Sequence, residues 1–126
     1  MPLFTVSNHS RAIIPGARFR AIKDVVLGRS YELHLIFVTP KEIQRLNKIY
    51  RDQDRPTDIL SFPLGENLGE IYICPSETRA AAKLFDRSYE NFLSFLFIHG
   101  CVHLKGYDHG GTMERIEVAV RKRFKI

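Results

Sequence analysis

The sequence predicts an α+β domain in which one mixed β-sheet of about four strands packs with about five helices, the central helix carrying a His-x-x-x-His pair. Three observations lead there. Segments of strand periodicity and segments of helical periodicity intermix along the chain instead of separating into blocks. The 126 residues are 44% apolar, enough for one core without help from disulfides. No internal repeat, low-complexity tract or long polar linker interrupts them, so the organisation expected is one undivided domain over 1–126.

Residues 3–7 read as a short first strand, followed by a helix over about 15–27 that Gly28 is suited to end. A second strand covers 31–38. Thr39-Pro40-Lys41-Glu42 then combines an N-cap hydroxyl, a proline at the first helical position and a capping-box glutamate, and starts a helix that runs to about Tyr50. Within it Ile43, Leu46, Asn47 and Tyr50 recur at spacings of three and four, an apolar stripe with one polar member, which makes Asn47 a candidate for an internal hydrogen bond. After the polar segment 51–58 come strands over 59–62 and 70–74, joined by a turn containing Gly65, Asn67 and Gly69 in the manner of a hairpin. Helices over 76–85, 88–105 and 112–124 complete the chain. The middle one is the most apolar, and its aromatic members Tyr89, Phe92, Phe95 and Phe97 are assigned to packing, because a helix that holds site residues still must bury most of its circumference.

Composition bounds the function. Cys74 and Cys101 sit in hydrophobic stretches with no spacing that suggests a disulfide framework, which fits a reducing, cytoplasmic compartment. The start lacks a basic region followed by an apolar run, and the longest apolar-rich stretch, 92–102, is too short to cross a bilayer, so neither a secretory signal nor a membrane partner is expected. A formal charge of +5 permits attraction to polyanions, since lysine and arginine near phosphate release counterions. The basic end, Arg121-Lys122-Arg123-Phe124-Lys125, is better explained as a solvated helix terminus, whose cations complement the helix dipole, than as a dedicated RNA contact.

Chemistry concentrates in His99-Gly-Cys-Val-His103-Leu-Lys-Gly106-Tyr-Asp-His109. His99 and His103 lie four positions apart, so both rings project from one helix face. Gly106 can end that helix in a left-handed conformation and let the chain fold back, bringing His109 toward the same point. The expectation is one divalent transition-metal ion, zinc by preference, on three imidazoles with an open position for water, whose pKa such a centre lowers to roughly 7. This spacing is shared with the metzincin proteases, but those place a glutamate directly after the first histidine as general base, where this chain has Gly100. Peptide hydrolysis therefore loses its catalytic group while metal binding survives. His9 and His34 have no comparable setting.

With His99-Gly100, His103-Leu104 and Gly106-Tyr107-Asp108-His109 in view, the chain resembles the YbeY family of metal-dependent endoribonucleases. Asn47, Tyr50-Arg51, Asp54, Pro56-Thr57-Asp58 and Leu60-Ser61-Phe62-Pro63 match a second signature, and Leu68-Gly69-Glu70-Ile71 looks like a third, so the resemblance covers roughly residues 43 to 117. Glu70 stands where the family usually has aspartate, and the loop after His109 is short before Met113-Glu114 and Glu117. The resemblance implies a mixed-sheet α+β fold, a histidine-bound metal, cleavage of single-stranded RNA, and a role in ribosomal RNA maturation and ribosome quality control. Its implied partners are ribosomal RNA, the small ribosomal subunit and ribosome-associated proteins.

The mechanism expected pairs the metal with Arg51, whose planar guanidinium stays cationic and can bind two phosphate oxygens as charge develops on phosphorus. A salt bridge from Arg51 to Asp54 or Asp58 is the alternative for that residue. Asp108 is expected either to support a ligand imidazole or to orient water. Ser61, Asn47 and Thr57 are candidates to contact RNA or to serve the structure alone, and Met113 either packs beneath the metal or simply fills core. Two rival functions keep the histidines: a metal-dependent hydrolase of another substrate, and a nonenzymatic ribosome-assembly factor with a structural metal.

Overall fold

The computed structural model describes residues 3–15 and 18–126. Along the chain run strand β1 (Phe4–Asn8), helix α1 (Phe19–Val26), strand β2 (Glu32–Phe37), helix α2 (Pro40–Arg51), strands β3 (Ile59–Gly65) and β4 (Leu68–Ile73), and helices α3 (Pro75–Leu84), α4 (Tyr89–Leu104) and α5 (Gly111–Phe124). Four strands in one mixed sheet and five helices are what the periodicities predict. The strand order is β1-β2-β4-β3, with β1, β2 and β4 parallel and β3 antiparallel to β4. One edge of the sheet is therefore β3, joined to β4 by the two-residue turn Glu66 and Asn67.

Boundaries differ from expectation where a signal was local and weak. The first helix begins at Phe19, and Pro15 stands outside it; Gly16 and Ala17, which the expected helix also included, lie outside the described residues. No side chain caps its start, so nothing in the local sequence marks it. By contrast the Thr39 hydroxyl accepts from the Glu42 amide at 3.3 Å, with Pro40 opening α2 as its sequence demands. Gly69 was expected in the turn but lies within β4. There the absence of a side chain is a packing requirement: a Cβ would fall 2.5 Å from the Tyr31 hydroxyl and 3.1 Å from both methyls of Leu104.

The two faces of the sheet have different fates. Leu33, Leu35, Phe37, Ile71 and Ile73 point to one face and join Ile22, Phe19, Phe97, Ile98, Cys101 and Met113 in the main core. The other face carries a smaller cluster in which Ile36, Val38 and Leu60 meet Ile43 and Leu46 of α2. Helix α4 is buried nearly all round, with Leu93, Phe97, Ile98, Cys101 and Val102 wholly inaccessible. Each such side chain contributes roughly 1.5–3 kcal/mol on burial, so the helix is fixed by core packing on several sides and not by its own propensity. It touches β3, α1, α3 and α5, and anything it carries is held as rigidly as the core itself.

Gly100 sets how closely α4 approaches β3: a Cβ there would lie 2.9 Å from Ser61 Oγ and 3.0 Å from the terminal methyls of Ile59 and Ile71. The position that a metzincin gives to its catalytic glutamate thus faces the sheet and has no room for a side chain.

The packing around Gly69 makes a stability prediction. Gly69→Ala should cost about 1–3 kcal/mol, the range for overpacking a filled site, whereas Gly65→Ala, whose Cβ would meet only Leu68 at 3.8 Å, should change stability by about 0.5 kcal/mol or less. Among the described residues the buried Tyr31 hydroxyl has no hydrogen-bond partner, so Tyr31→Phe should be neutral or stabilising and should recover part of the Gly69→Ala loss in the double variant. Denaturant midpoints of the four proteins check this, and additive losses in the double variant would contradict it.

Candidate metal centre

Three histidines meet where α4 ends. His99 and His103 occupy successive turns of α4, and Gly106, at φ +111°, reverses the chain after Lys105. The loop then brings His109 back, so that one ligand atom from each ring lies within 4.8 Å of the others. Ring centroids are separated by 4.8 Å for His99 and His103, 4.8 Å for His103 and His109, and 5.4 Å for His99 and His109.

Hydrogen bonding decides which nitrogen each helical ring offers. His103 Nδ1 lies 3.1 Å from the Tyr107 carbonyl, which can only accept, so Nδ1 carries the proton and Nε2 keeps its lone pair. His99 Nδ1 lies 3.0 Å from Glu117 Oε1 on α5, and an ionised carboxylate there fixes the same tautomer. Glu117 is 7% exposed and has Arg121 one turn further along at 3.9 Å, so its charge is supported. Burial first, and then the neighbouring His99 and His109, push the His103 imidazole below its ordinary pKa and favour the neutral form. Three converging imidazoles, two with their outer nitrogens tied down, are a donor set that fits a divalent transition metal.

The cleft in front of these rings is about 420 Å³ and is lined by the three histidines with Arg51, Thr57, Asp58, Ile59, Leu60 and Ser61. Two anchors at the end of α2 shape its far wall. Asp52 adopts the left-handed conformation at φ +56°, and the Asn47 side chain, 5% exposed, donates to the Arg55 carbonyl at 3.0 Å while the Asn47 backbone carbonyl accepts from Gln53 N at 3.2 Å. Asn47 therefore holds the segment that delivers Thr57 and Asp58, and it does not line the cleft.

Arg51 does line it. Its guanidinium donates to the Ser61 carbonyl at 2.9 Å, on the free edge of β3. Among the described residues it forms no ion pair: Asp54 is engaged by Gln44 and Lys48, and the nearest side-chain donor to Asp58 is Thr57. Ser61 lies in the same wall, with its hydroxyl against Gly100. Asp108 is exposed and makes no side-chain hydrogen bond to the rings among the described residues; Glu117 and the Tyr107 carbonyl occupy the two supporting places. Met113 is 2% exposed and belongs to the main core, while His34 pairs with Glu32 on the sheet, away from the trio.

Sequence reasoning did not single out Glu117 or Asp58 for this site. Glu117 stands in the buried stripe Met113, Glu117, Val120 of α5, and a carboxylate in an apolar stripe is the signal that could have found it. Asp58 is the one carboxylate among the residues lining the cleft. Its burial raises its pKa, opposed by hydrogen bonds from its own amide and that of Ile59.

Comparison with known proteins extends the match beyond the signatures. Residues 7–124 match the family model described as Endoribonuclease YbeY. Proteins carrying that name include one from Thermotoga maritima, 47% identical over 79 residues, which cover 61% of this chain and 53% of that protein. Another, from Onion yellows phytoplasma, is 41% identical over 103 residues, covering 75% of this chain and 70% of that protein. The chain thus spans about half the length of the first and somewhat over two thirds of the second. The solution structure of TM1509 from Thermotoga maritima superposes with a TM-score of 0.68 at 28% identity, covering 97% of this chain and 91% of that one.

The anchoring carboxylate generates a prediction. Glu117→Gln, which keeps shape and loses charge, should weaken metal affinity about 10- to 100-fold while leaving the circular dichroism spectrum unchanged. Competition against a chromophoric chelator measures this, with His9→Gln as a control far from the rings, and an unaltered affinity would remove Glu117 from the site.

Proposed function

The chain belongs to the YbeY family, and we propose that it is a metal-dependent endoribonuclease cutting single-stranded RNA, with ribosomal RNA as its substrate in maturation and quality control. The observation that carries this reading is Arg51: a guanidinium without a carboxylate partner among the described residues, on the wall of the same cleft as three convergent imidazoles. A cation left unpaired beside a metal-competent centre suits an anionic substrate, and a formal charge of +5 favours approach of a polyanion.

His99, His103 and His109 would hold the ion, with zinc preferred because three imidazoles are a common donor set for it. Bound there, a divalent ion supplies Lewis acidity toward a phosphoryl oxygen and lowers the pKa of water. Arg51 is assigned to the non-bridging oxygens of the scissile phosphate, where it neutralises charge that grows toward the transition state. Ser61, on the same wall, is assigned to donate its hydroxyl to the RNA backbone, a role supported by its place in the cleft lining. Asp58 is assigned to proton transfer, since it is the carboxylate lining the cleft and its burial keeps its proton affinity above that of an exposed aspartate. Asp108 is assigned to the exposed rim and Asn47 to positioning the segment that bears Asp58.

Proteolysis is disfavoured by a physical fact about α4: the position after His99 lies against Ser61, Ile59 and Ile71 and has no space for a base. The proposed cytoplasmic location is supported by two buried, unpaired cysteines, which suit a reducing compartment. Among the described residues no helix is long and apolar enough to cross a membrane.

The test is cleavage of a labelled single-stranded ribosomal RNA fragment by native, chelated and remetallated protein and by a folded His103→Ala variant. Loss on chelation, recovery with metal and failure of the variant are expected; equal cleavage in all four would overturn the proposal. Arg51→Ala should lower kcat/KM about 10²- to 10³-fold, with Arg51→Lys recovering part of the loss because it restores charge but not the planar fork. Undiminished cleavage by Arg51→Ala would remove its electrostatic role.

A further inference from the structure

Adjacent residues of a strand point to opposite faces, and on β3 this separates two clefts. Ser61 faces α4 and the histidines, while Phe62 faces the other side of the sheet. Behind Phe62 lies a second cleft of about 310 Å³, lined by Leu46, Tyr50, Phe62, Leu64, Glu70 and Tyr72 with Pro63. Its rings form a continuous edge-to-face set: Tyr50 and Phe62 have centroids 5.3 Å apart at 61°, and Phe62 and Tyr72 5.8 Å apart at 71°. Tyr50 is 60% exposed and Leu64 54%, so this apolar surface is open to solvent.

Arg51 joins the two clefts over the edge of the sheet. The side chain that lines the histidine cleft and donates to the Ser61 carbonyl also places its Cζ 4.9 Å from the centre of the Phe62 ring. The residue that faces phosphate in the proposed function is therefore stacked on the aromatic surface of the neighbouring cleft. Within that cleft, Glu70 accepts from the Tyr72 hydroxyl at 3.3 Å and contributes negative charge. A phosphate is repelled from such a floor, whereas a flat, uncharged ring is not. Alternation of phosphate and base along one RNA strand matches an edge that offers a cation on one side and open aromatic rings on the other.

We propose that the Tyr50, Phe62 and Tyr72 cleft is a nucleobase subsite, which stacks a base flanking the scissile phosphate while Arg51 holds the backbone as it crosses the β3 edge. The subsite rests on the RNA-cleaving reading for its occupant, and it adds a reason for single-strand preference, because a base paired in a duplex cannot leave its stack to enter. Tyr50 carries the most accessible ring of the three.

A cycle between protein and RNA variants tests it. Short single-stranded ribosomal RNA oligomers, intact or with one abasic nucleotide moved along the sequence, are mixed with the metal-loaded protein and its Tyr50→Ala, Tyr50→Leu and Tyr50→Phe variants. Kd is read before appreciable cleavage, and KM and kcat are read afterwards. One abasic position, next to the cut, should weaken binding about tenfold for the native protein and for Tyr50→Phe, and should have little effect in Tyr50→Ala or Tyr50→Leu, with KM moving more than kcat. Abasic penalties that are equal in native protein and ring-less variants at every position would overturn the subsite and leave the nuclease intact. RNA bound with this coupling but never cut would overturn the nuclease and leave the subsite. RNA neither bound nor cut would overturn both.

Discussion

The hydrogen bond between His99 and Glu117 ties α4 to α5, and the geometry of the cleft depends on it. Three bare imidazole nitrogens converging on one point are an awkward arrangement in water: each ring could rotate or change tautomer. Here two rings are committed through Nδ1, one to the carboxylate of another helix and one to the carbonyl of the loop that returns His109. The same bonds that fix tautomers also fix where α5 begins relative to the end of α4. Metal competence and tertiary structure therefore share one set of interactions, a common coupling in metal sites.

The core supplies the rigidity those bonds presuppose. Phe19 stands edge-on to Phe97 at 5.0 Å, and Phe4 approaches the same ring from β1, so α4 is clamped between the sheet and α1 two residues before His99. Gly100 then brings the helix close enough to β3 for Ser61 and the histidines to share one cleft. The edge position of β3 matters equally. An unpaired edge carbonyl is what Arg51 binds, and in doing so the arginine covers an edge that would otherwise be free to pair with another strand.

Much of this was legible in the chain because its signals are local. The Thr39 cap, the helix-ending Gly106 and the spacing of His99, His103 and His109 are short-range patterns with direct backbone consequences, and the structure follows each of them. Contacts between distant segments were not legible. The apolar stripe of α5 in which Glu117 stands can be read from the chain, but only the packing of α5 on α4 shows that its carboxylate meets His99. Asp58 reads as part of a polar segment until Asn47 and the left-handed Asp52 are seen to turn that segment into the cleft. Gly69 resembles turn glycine, and its place in β4 is dictated by Tyr31 and Leu104, neither of which is near in sequence. The start of α1 was missed for the opposite reason, since no capping residue marks it.

The central claim is that His99, His103 and His109 bind one ion together, His99 and His103 through the Nε2 atoms left free by the anchoring of Nδ1. X-ray absorption spectroscopy on protein loaded with a single equivalent of zinc measures this most directly. The account predicts a first shell of imidazole nitrogen at about 2.0–2.1 Å with no sulfur, and a histidine contribution that falls by one ring in a folded His109→Ala variant. A sulfur-containing shell, or a spectrum unchanged by removing His109, would contradict it.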